Sequence, residues 1–393
     1  MTFTFMLLYR YRSSTELSFK ELLYNELYFA SQDELNDPFD GESFYHFPSD
    51  KELWMRLLNE VNNDIKEVSW GDSEINEYHI EILATALSRR TPITYGEIMA
   101  GRLISIFGDV VSEPENQDTM PKNVTFFAEE VQRYLSYSSP KLGYFVSFSS
   151  KSNDHLMWGH YGAQHFGYSL IFRTIDGALK QDPSNCINSV GITETYRISV
   201  PSSIPFSKVN YSENIDFHNA CWLLPRKLVS NLTCVDLNEI KNHWDKSDSF
   251  LCSKHRSWEY EQEYRLILNG GSLSSERLSP LQRLLHYDFS QLVGVVFGSK
   301  MSDSHKMRVK EIIKYKKESF LPQNGSGHVF PFVFFQARRS FNREIDVTPE
   351  EIFDCNFKIQ LTAEDSKIWL KQWEGGYALR FDANGGCTPV NVI

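Results

Sequence analysis

The chain has 393 residues, 41% of them hydrophobic and 14% aromatic, enough apolar material to fill the core of one large domain or two ordinary ones. A formal net charge of -11 and a pI near 5.5 argue against general affinity for nucleic acid or an anionic membrane surface, because counterion release needs a basic face. Cys186, Cys221, Cys234, Cys252, Cys355 and Cys387 stand singly without metal-ligand spacing, and no apolar run approaches membrane-spanning length, so a cytoplasmic protein with reduced thiols and no export signal is expected.

In chain order, residues 3–9 read as a first strand, and a helix follows with Phe19, Leu22, Leu23 and Leu27 on one face and Ser18 with Glu21 as a capping box. LYFAS, residues 27–31, returns as a strand. The character changes over 51–138, where stretches such as KELWMRLLNEVNNDIKEV predict about four helices, split near Pro92 and by the polar loop at 112–118. Beyond Gly143 the reading is strand 143–149, helix 153–162, strands 166–173 and 190–200, helices around 213–229 and 236–254, strand 263–268, strand 292–297 and helix 302–318. The tail adds an apolar strand at 328–335, a helix near 348–354 and a glycine-rich polar end. The predicted class is α+β, a mixed, mostly antiparallel sheet with flanking helices. Its core domain is expected from 1–50 and 139–320, with a helical insert at 51–138 and a mixed C-terminal extension at 321–393.

Four constellations could carry chemistry. In LYRYRSS, Tyr9 and Tyr11 point to one face of a strand and Arg10 and Arg12 to the other, a fork of donors suited to phosphate or carboxylate, or else a salt-bridged face. Asn36, Asp37 and Asp40 in NDPFD read foremost as turn chemistry. In FVSFSSKSNDHLMWGHYGAQHFGYSLIF, Ser147 and Ser149 share one side of a strand end, and a short helix capped by Asn153 or Asp154 carries Met157, Trp158, His160 and Tyr161. Large aromatics at that spacing are usually core, and His160 with His165 lacks a third ligand at zinc spacing, so no metal is assigned there. In WEYEQEYRLIL, Glu259, Glu261 and Glu263 alternate with Tyr260 and Tyr264 ahead of a buried strand, as a desolvated carboxylate site or an edge strand paired with Arg265 or Arg256. The stripe Lys306, Lys310, Lys314 and Lys317 reads as a solvated helix face.

LYRYRS, LYFASQDELNDPFD, FVSFSSKSNDHLMWGHYGAQHFGYSLIF, WEYEQEYRLI and LVGVVFGSKMS fall in the order and style of a bacterial family, and residues 7–318 resemble domain-of-unknown-function family 2971 (DUF2971). The resemblance implies a cytosolic bacterial protein of the accessory kind seen in mobile or defence loci, and no reaction. A second resemblance is to ADP-ribosyltransferases of the arginine, serine, glutamate type, through Arg10 or Arg12, then Ser147 and Ser149, then Glu261 and Glu263 in E-x-E. SFSS departs from that pattern where a threonine stands between two serines, and the spacing to the glutamates is long. This second resemblance implies an NAD-consuming enzyme of the toxin or anti-phage effector kind, acting on an unknown macromolecular acceptor. Arg10 or Arg12 would hold the diphosphate and the serines the ribose, Trp158 or Tyr161 would stack on nicotinamide with His160 beside them, and Glu263 with Glu261 would stabilise the oxocarbenium ion. Two other readings stay open: a non-catalytic module that recognises a protein or nucleotide signal, and a metal-dependent hydrolase or nuclease using Asp37, Asp40, Glu261 and Glu263. The transferase reading requires Ser149, Tyr161 and Glu263 to converge with Arg10 or Arg12.

Overall fold

The computed structural model describes residues 6–37, 39, 40, 44–68, 75–90, 92–138, 143–191, 197–214, 217–232, 234–245, 251–268, 278–320, 328, 329, 332–353, 370, 371, 373–375, 378–381 and 387–390. Its frame is a ten-stranded mixed sheet. The strands are β1 (Leu7–Arg12), β2 (Ala30–Ser31), β3 (Tyr144–Ser149), β4 (Tyr168–Arg173), β5 (Ala178–Lys180), β6 (Ser203–Lys208), β7 (Glu263–Leu268), β8 (Leu292–Phe297), β9 (Phe332–Arg339) and β10 (Ile345–Phe353). They lie in the order β10, β9, β8, β4, β1, β3, β7, β6, β5, with β2 added to β3. Only the β8–β9 pair is parallel within this sheet, so the α+β class and the mostly antiparallel sheet are as predicted.

Every residue of β4 and β8 is buried, because both faces of these central strands are covered. One face packs Leu8, Phe148, Leu170, Phe172 and Val295 against Phe19 and Leu22 of α1 (Glu16–Tyr24) and against Val309 and Ile313 of the long helix Asp303–Phe320. The opposite face packs Tyr11, Ile171, Val296 and Val333 against Met157 and Trp158 and against Trp373 from the tail. The third core belongs to the helical block, α2 (Lys51–Val68), α3 (Glu77–Arg89), α4 (Tyr95–Met99), α5 (Arg102–Ser112) and α6 (Val124–Tyr137). Ala220, Cys221, Leu228 and Val229 complete that core, so the block draws on a stretch of chain far outside 51–138. It also engages the main chain: the strand Phe44–Phe47 pairs with Phe217–Asn219 on one side and Ile93–Thr94 on the other.

Several predicted elements fall differently. The first strand starts later, at Leu7, and α1 is capped by the Thr15 hydroxyl accepting from the Ser18 N–H, so Ser18 is an interior residue and no capping box forms with Glu21. The helix expected at 213–229 is a strand at Phe217–Asn219, a 3-10 turn at Ala220–Leu223 and the one-turn α8 (Arg226–Val229), because Pro225 has no N–H with which to continue a helix. The next helix, α9 (Leu237–Asp245), is followed by the strand Ser253–His255 in place of the helix expected to 254. The helix expected near 348–354 is not formed over 348–353: β10 is an edge strand there, and Pro349 is tolerated beside a register shift opposite Phe334 and Phe335, while 354 lies outside the described residues. The strand expected at 190–200 is two short antiparallel strands, Ser189–Gly191 and Arg197–Ser199, with 192–196 outside the described residues. Most of the glycine-rich end also lies outside them.

The connection from α7 (His155–His160) to β4 is tight. Ala163, Gln164 and His165 all have left-handed backbones, with φ of 49°, 55° and 73°. They are held there by Gln164 N–H to the Gly159 carbonyl, His165 N–H to the Trp158 carbonyl and Lys300 N–H to the His165 carbonyl. Gly298 makes this approach feasible, since a Cβ there would lie 2.3 Å from the His165 carbonyl oxygen. Gly298→Ala is therefore expected to lower unfolding free energy by about 1–3 kcal/mol in urea titrations. Gly108→Ala, in α5 with nothing within 4 Å of the new Cβ, should raise it by about 0.5–1 kcal/mol.

Candidate functional site

Antiparallel pairing places residues opposite one another on one face of the sheet, and Ser149 of β3 stands opposite Tyr9 of β1 and Glu263 of β7. The row Tyr9, Ser149, Glu263 therefore crosses three adjacent strands, with Ser147 and Arg265 as the next pair along. Arg10 and Arg12 alternate to the opposite face, the one that packs against α1. The expected convergence is thus met by Ser149, Tyr161 and Glu263 and not by either arginine. A strand cannot send neighbouring side chains to one side, and Tyr9 and Tyr11 occupy the face that carries Ser149 and Glu263.

Around the row lies a buried ion network. Lys254 Nζ is 2.9 Å from Asp40 Oδ2, 2.7 Å from Glu261 Oε2 and 3.4 Å from Glu263 Oε2. The Arg265 guanidinium forks onto Glu263 at 2.8 and 2.9 Å, reaches Asp40 Oδ1 at 2.6 Å, and donates to the Leu251 carbonyl. All five side chains are almost completely withdrawn from solvent, Arg265 entirely. Lys254 also lies 4.9 Å from the Trp258 ring centre and Arg265 3.9 Å from that of Phe145.

Glu261 and Glu263 do not sit on a common strand. Residues Arg256–Glu261 form a 3-10 turn, and Gln262 takes a left-handed backbone with φ of 45° before β7 begins at Glu263. The Ser149 hydroxyl, fully buried, donates to the Glu261 carbonyl at 2.6 Å and accepts from the Lys151 N–H at 3.0 Å. Ser149 therefore pins the turn and has no hydrogen left for a ribose. Ser147 is the exposed serine of the pair. Glu259 stays on the surface beside Arg256, so the expected line of three carboxylates is reduced to two that meet at Lys254.

The environments of those two carboxylates differ. Burial alone would raise Glu263, but Arg265, then Lys254 and the Ser147 hydroxyl, hold it down to about 2. Burial raises Glu261 above the ordinary carboxylate range; Lys254 opposes this and the Glu263 charge adds to it. Three carboxylates share two cations, and Glu261, which has no ion pair with Arg265 among the described residues, takes up a proton more readily than Glu263. Its Oε1 accepts from the Tyr161 hydroxyl at 2.6 Å, and that hydroxyl accepts from the Asn36 amide at 3.2 Å. Tyr161 is half-buried and Asn36 exposed, so this chain of bonds connects Glu261 with the surface.

The remaining sequence candidates divide. Trp158 is wholly buried, donates Nε1–H to the Ser152 carbonyl and stands edge-on to Tyr11 at 5.0 Å, which makes it core and removes it as a stacking partner. His160 is exposed, with its ring 6.3 Å from that of Tyr260, and Trp258 follows at 6.0 Å from Tyr260, so an aromatic ledge runs beside Tyr161. The NDPFD turn does more than turn: Asp37 binds the Phe39 N–H, while Asn36 and Asp40 enter the site. Lys254 was not anticipated, because a lone lysine ahead of His255 carries no periodic or motif signal. A groove of about 410 Å³ lined by Val61, Ile65, Phe126 and Tyr134 lies between α2 and α6, away from these carboxylates.

Residues 157–266 match the family model of proteins of unknown function DUF2971. The matched DUF2971 segment contains Tyr161, Lys254, Glu261, Glu263 and Arg265, while Asp40, Tyr9 and Ser147 lie outside it. Neither a curated protein nor a solved structure matches the chain. Among the described residues no helix is long and apolar enough to cross a membrane.

Lys254→Met would leave three carboxylates around an empty position, and a loss of about 3–5 kcal/mol in unfolding free energy is expected. The two glutamates shape the pH profile in opposite senses. Glu263, with its folded pKa depressed, contributes stability that is complete above the ordinary carboxylate range and is lost as pH falls towards 2. Glu261, with its folded pKa raised, contributes stability that is complete below that range and is lost as pH rises through the raised value. Thermal melts across pH should therefore show Glu261→Gln declining less than the wild type on the neutral side, with the acid-side loss unchanged.

Proposed function

We propose that the chain is an NAD-consuming, ADP-ribosyltransferase-like enzyme whose reacting groups gather at the Glu263 end of the row Tyr9, Ser149, Glu263, beside Glu261, Tyr161 and Ser147. The observation that carries this reading is the adjacency of β1, β3 and β7, which brings a strand-end serine pair beside an E-x-E whose two carboxylates hold protons differently. Glu263, held ionised by Arg265 and Lys254 just beneath the surface, lends negative charge to the site as the bond between C1′ of the ribose and the nicotinamide nitrogen breaks and the oxocarbenium ion forms. Nicotinamide departs with the bonding electrons as a neutral base. The acceptor then forms its bond to C1′ and passes its proton through Tyr161 to Glu261. Tyr161 and Tyr260 offer ring faces to nicotinamide, and exposed Ser147 offers a hydroxyl to the ribose. The diphosphate is not met by Arg10 or Arg12, and this departs from the arginine, serine, glutamate pattern. A toxic or defensive role belongs to the same proposal, since consumption of NAD injures the cell in which it occurs.

A second reading, a non-catalytic module for a protein or nucleotide signal, is favoured by one observation: Glu263 is neutralised by Arg265 and Lys254 and has almost no free surface. The hydrolase reading loses ground for the same reason. Lys254 Nζ already stands where a divalent ion would have to be held by Asp40, Glu261 and Glu263.

Purified protein incubated with NAD labelled in the nicotinamide and in the adenosine, with and without cell extract, separates the readings. Nicotinamide release is expected from the wild type, with a fall of about 10²–10³-fold in Glu263→Gln. The rate should drop as pH falls through the raised pKa of Glu261, and that acid limb should vanish in Glu261→Gln. No release and no transferred label in several extracts would overturn the enzyme in favour of the module.

A further inference from the structure

The loop joining β9 and β10 carries a side chain that the fold does not use. Phe341 stands at its tip with the ring wholly in solvent. The loop is held in one shape: the Ser340 N–H donates to the Glu344 carbonyl at 2.9 Å, the Arg343 N–H donates to the Ser340 carbonyl at 3.2 Å, and Arg343 takes a left-handed backbone with φ of 63°. Arg338, Arg339 and Arg343 flank the ring in the chain, all exposed and, among the described residues, without an ion pair. Over 338–344 the only acid is Glu344, so the tip is an aromatic ring in a positive setting, within a chain whose net charge is -11. Aromatic residues and arginine are the types enriched where proteins meet.

The opposite combination lies on the helical block. The groove of about 410 Å³ between α2 and α6 is lined by apolar Val61 and Ile65 and by the rings of Phe126, Tyr134 and Tyr137, of which Phe126 and Tyr137 are each more than half-open to solvent or close to it. Asp64, Glu67 and Glu130 line it too. The lining cation, Arg133, is paired with Glu130, which leaves Asp64 and Glu67 exposed and, among the described residues, without an ion pair. A space of this size takes one aromatic side chain together with the stem of a neighbouring arginine. Apolar walls under an anionic rim select an apolar side chain flanked by positive charge, and the tip at Phe341 has that composition. The groove belongs to the helical block and the tip to the β10 end of the large sheet.

We propose that the chain associates with itself head to tail, the Phe341 tip of one copy entering the α2–α6 groove of a second. The ring packs against Phe126, Tyr134 and Tyr137, while the arginines beside it meet Asp64 and Glu67 at the rim. Tip and groove are different surfaces, so every pair keeps one free tip and one free groove, and assembly continues past the dimer. The contact is small, which makes the association weak and reversible, and its exposed charges make it sensitive to salt. None of these residues belongs to the cluster around Glu261 and Glu263, so the inference stands apart from the transferase reading.

The test is sedimentation velocity of the full chain over a dilution series, in low and in high sodium chloride. The mass is expected to rise with protein concentration past that of a dimer, and to return to that of the monomer in high salt. Phe341→Ser should be monomeric throughout, as should the double variant Asp64→Lys with Glu67→Lys. All three positions are exposed, so both variants should melt as the wild type does. Mixed together, they should form one-to-one heterodimers that grow no further, since the first keeps only a working groove and the second only a working tip. A wild type that stays monomeric at every concentration overturns the proposal, as does self-association retained by either variant or a mixture that stays monomeric. Binding of a monomeric wild type to a single-stranded oligonucleotide or to anionic vesicles, lost in Phe341→Ser, would also overturn it, by giving the tip a different occupant.

Discussion

A lysine and an arginine buried among three carboxylates fix the arrangement of everything around them. Lys254 and Arg265 reach Asp40 from the 36–40 turn, Glu261 from a 3-10 turn and Glu263 from the head of a strand, so three separated pieces of chain meet through charge. Desolvating five ionised groups is costly, and replacement by apolar side chains would commonly give a fold as stable or more so. The value of such a network lies in positioning: each hydrogen bond has a direction, and removal of any member leaves its partners buried without compensation. The Gln262 backbone, left-handed between the two glutamates, is the local cost of turning both toward one lysine.

The same network gives chemically identical side chains different characters. Glu263 is gripped by a guanidinium fork and stays ionised, whereas Glu261 shares a lysine and meets a tyrosine hydroxyl, so its proton affinity rises. Separation of this kind underlies many acid and base pairs in enzymes, although structural ion clusters also produce it. What distinguishes this cluster from a sealed structural one is its outlet, the chain from Glu261 through Tyr161 to exposed Asn36.

Much of the frame could be read from the sequence, for a clear reason. β7 and β8 run over the predicted 263–268 and 292–297, the helix after β8 follows its periodicity, and for β8 burial on both faces leaves few alternatives. The alternation of LYRYR placed tyrosines and arginines on opposite faces, as found. Mistakes gathered where local pattern is outweighed by context. The stretch at 348–353 is an edge strand because β9 offered a free side, and 213–229 was divided by Pro225 and by the packing of Ala220 and Cys221 into the helical block. The glutamates of E-x-E could be singled out from the sequence, but their partners Asp40 and Lys254 are remote in sequence, and no spacing rule joins residues 40, 254 and 261. Trp158 and Ser149 looked like site residues because they adjoin it; burial and backbone hydrogen bonds use up both.

The way the helical block is sewn into the molecule has mechanical meaning. Its core includes 220–229, and its short sheet grips Phe44–Phe47, which lies only a few positions beyond Asp40 in the chain. The turn bearing Asn36 and Asp40 consequently stands, in sequence, between the ion network and the strand that the block holds. Anything that tilts the block tugs on a salt bridge of the ion network at one end and on the Tyr161 hydroxyl at the other. Glu261 is thus linked, through Lys254 and Asp40 on one side and Tyr161 and Asn36 on the other, to the stretch of chain that leads into the block.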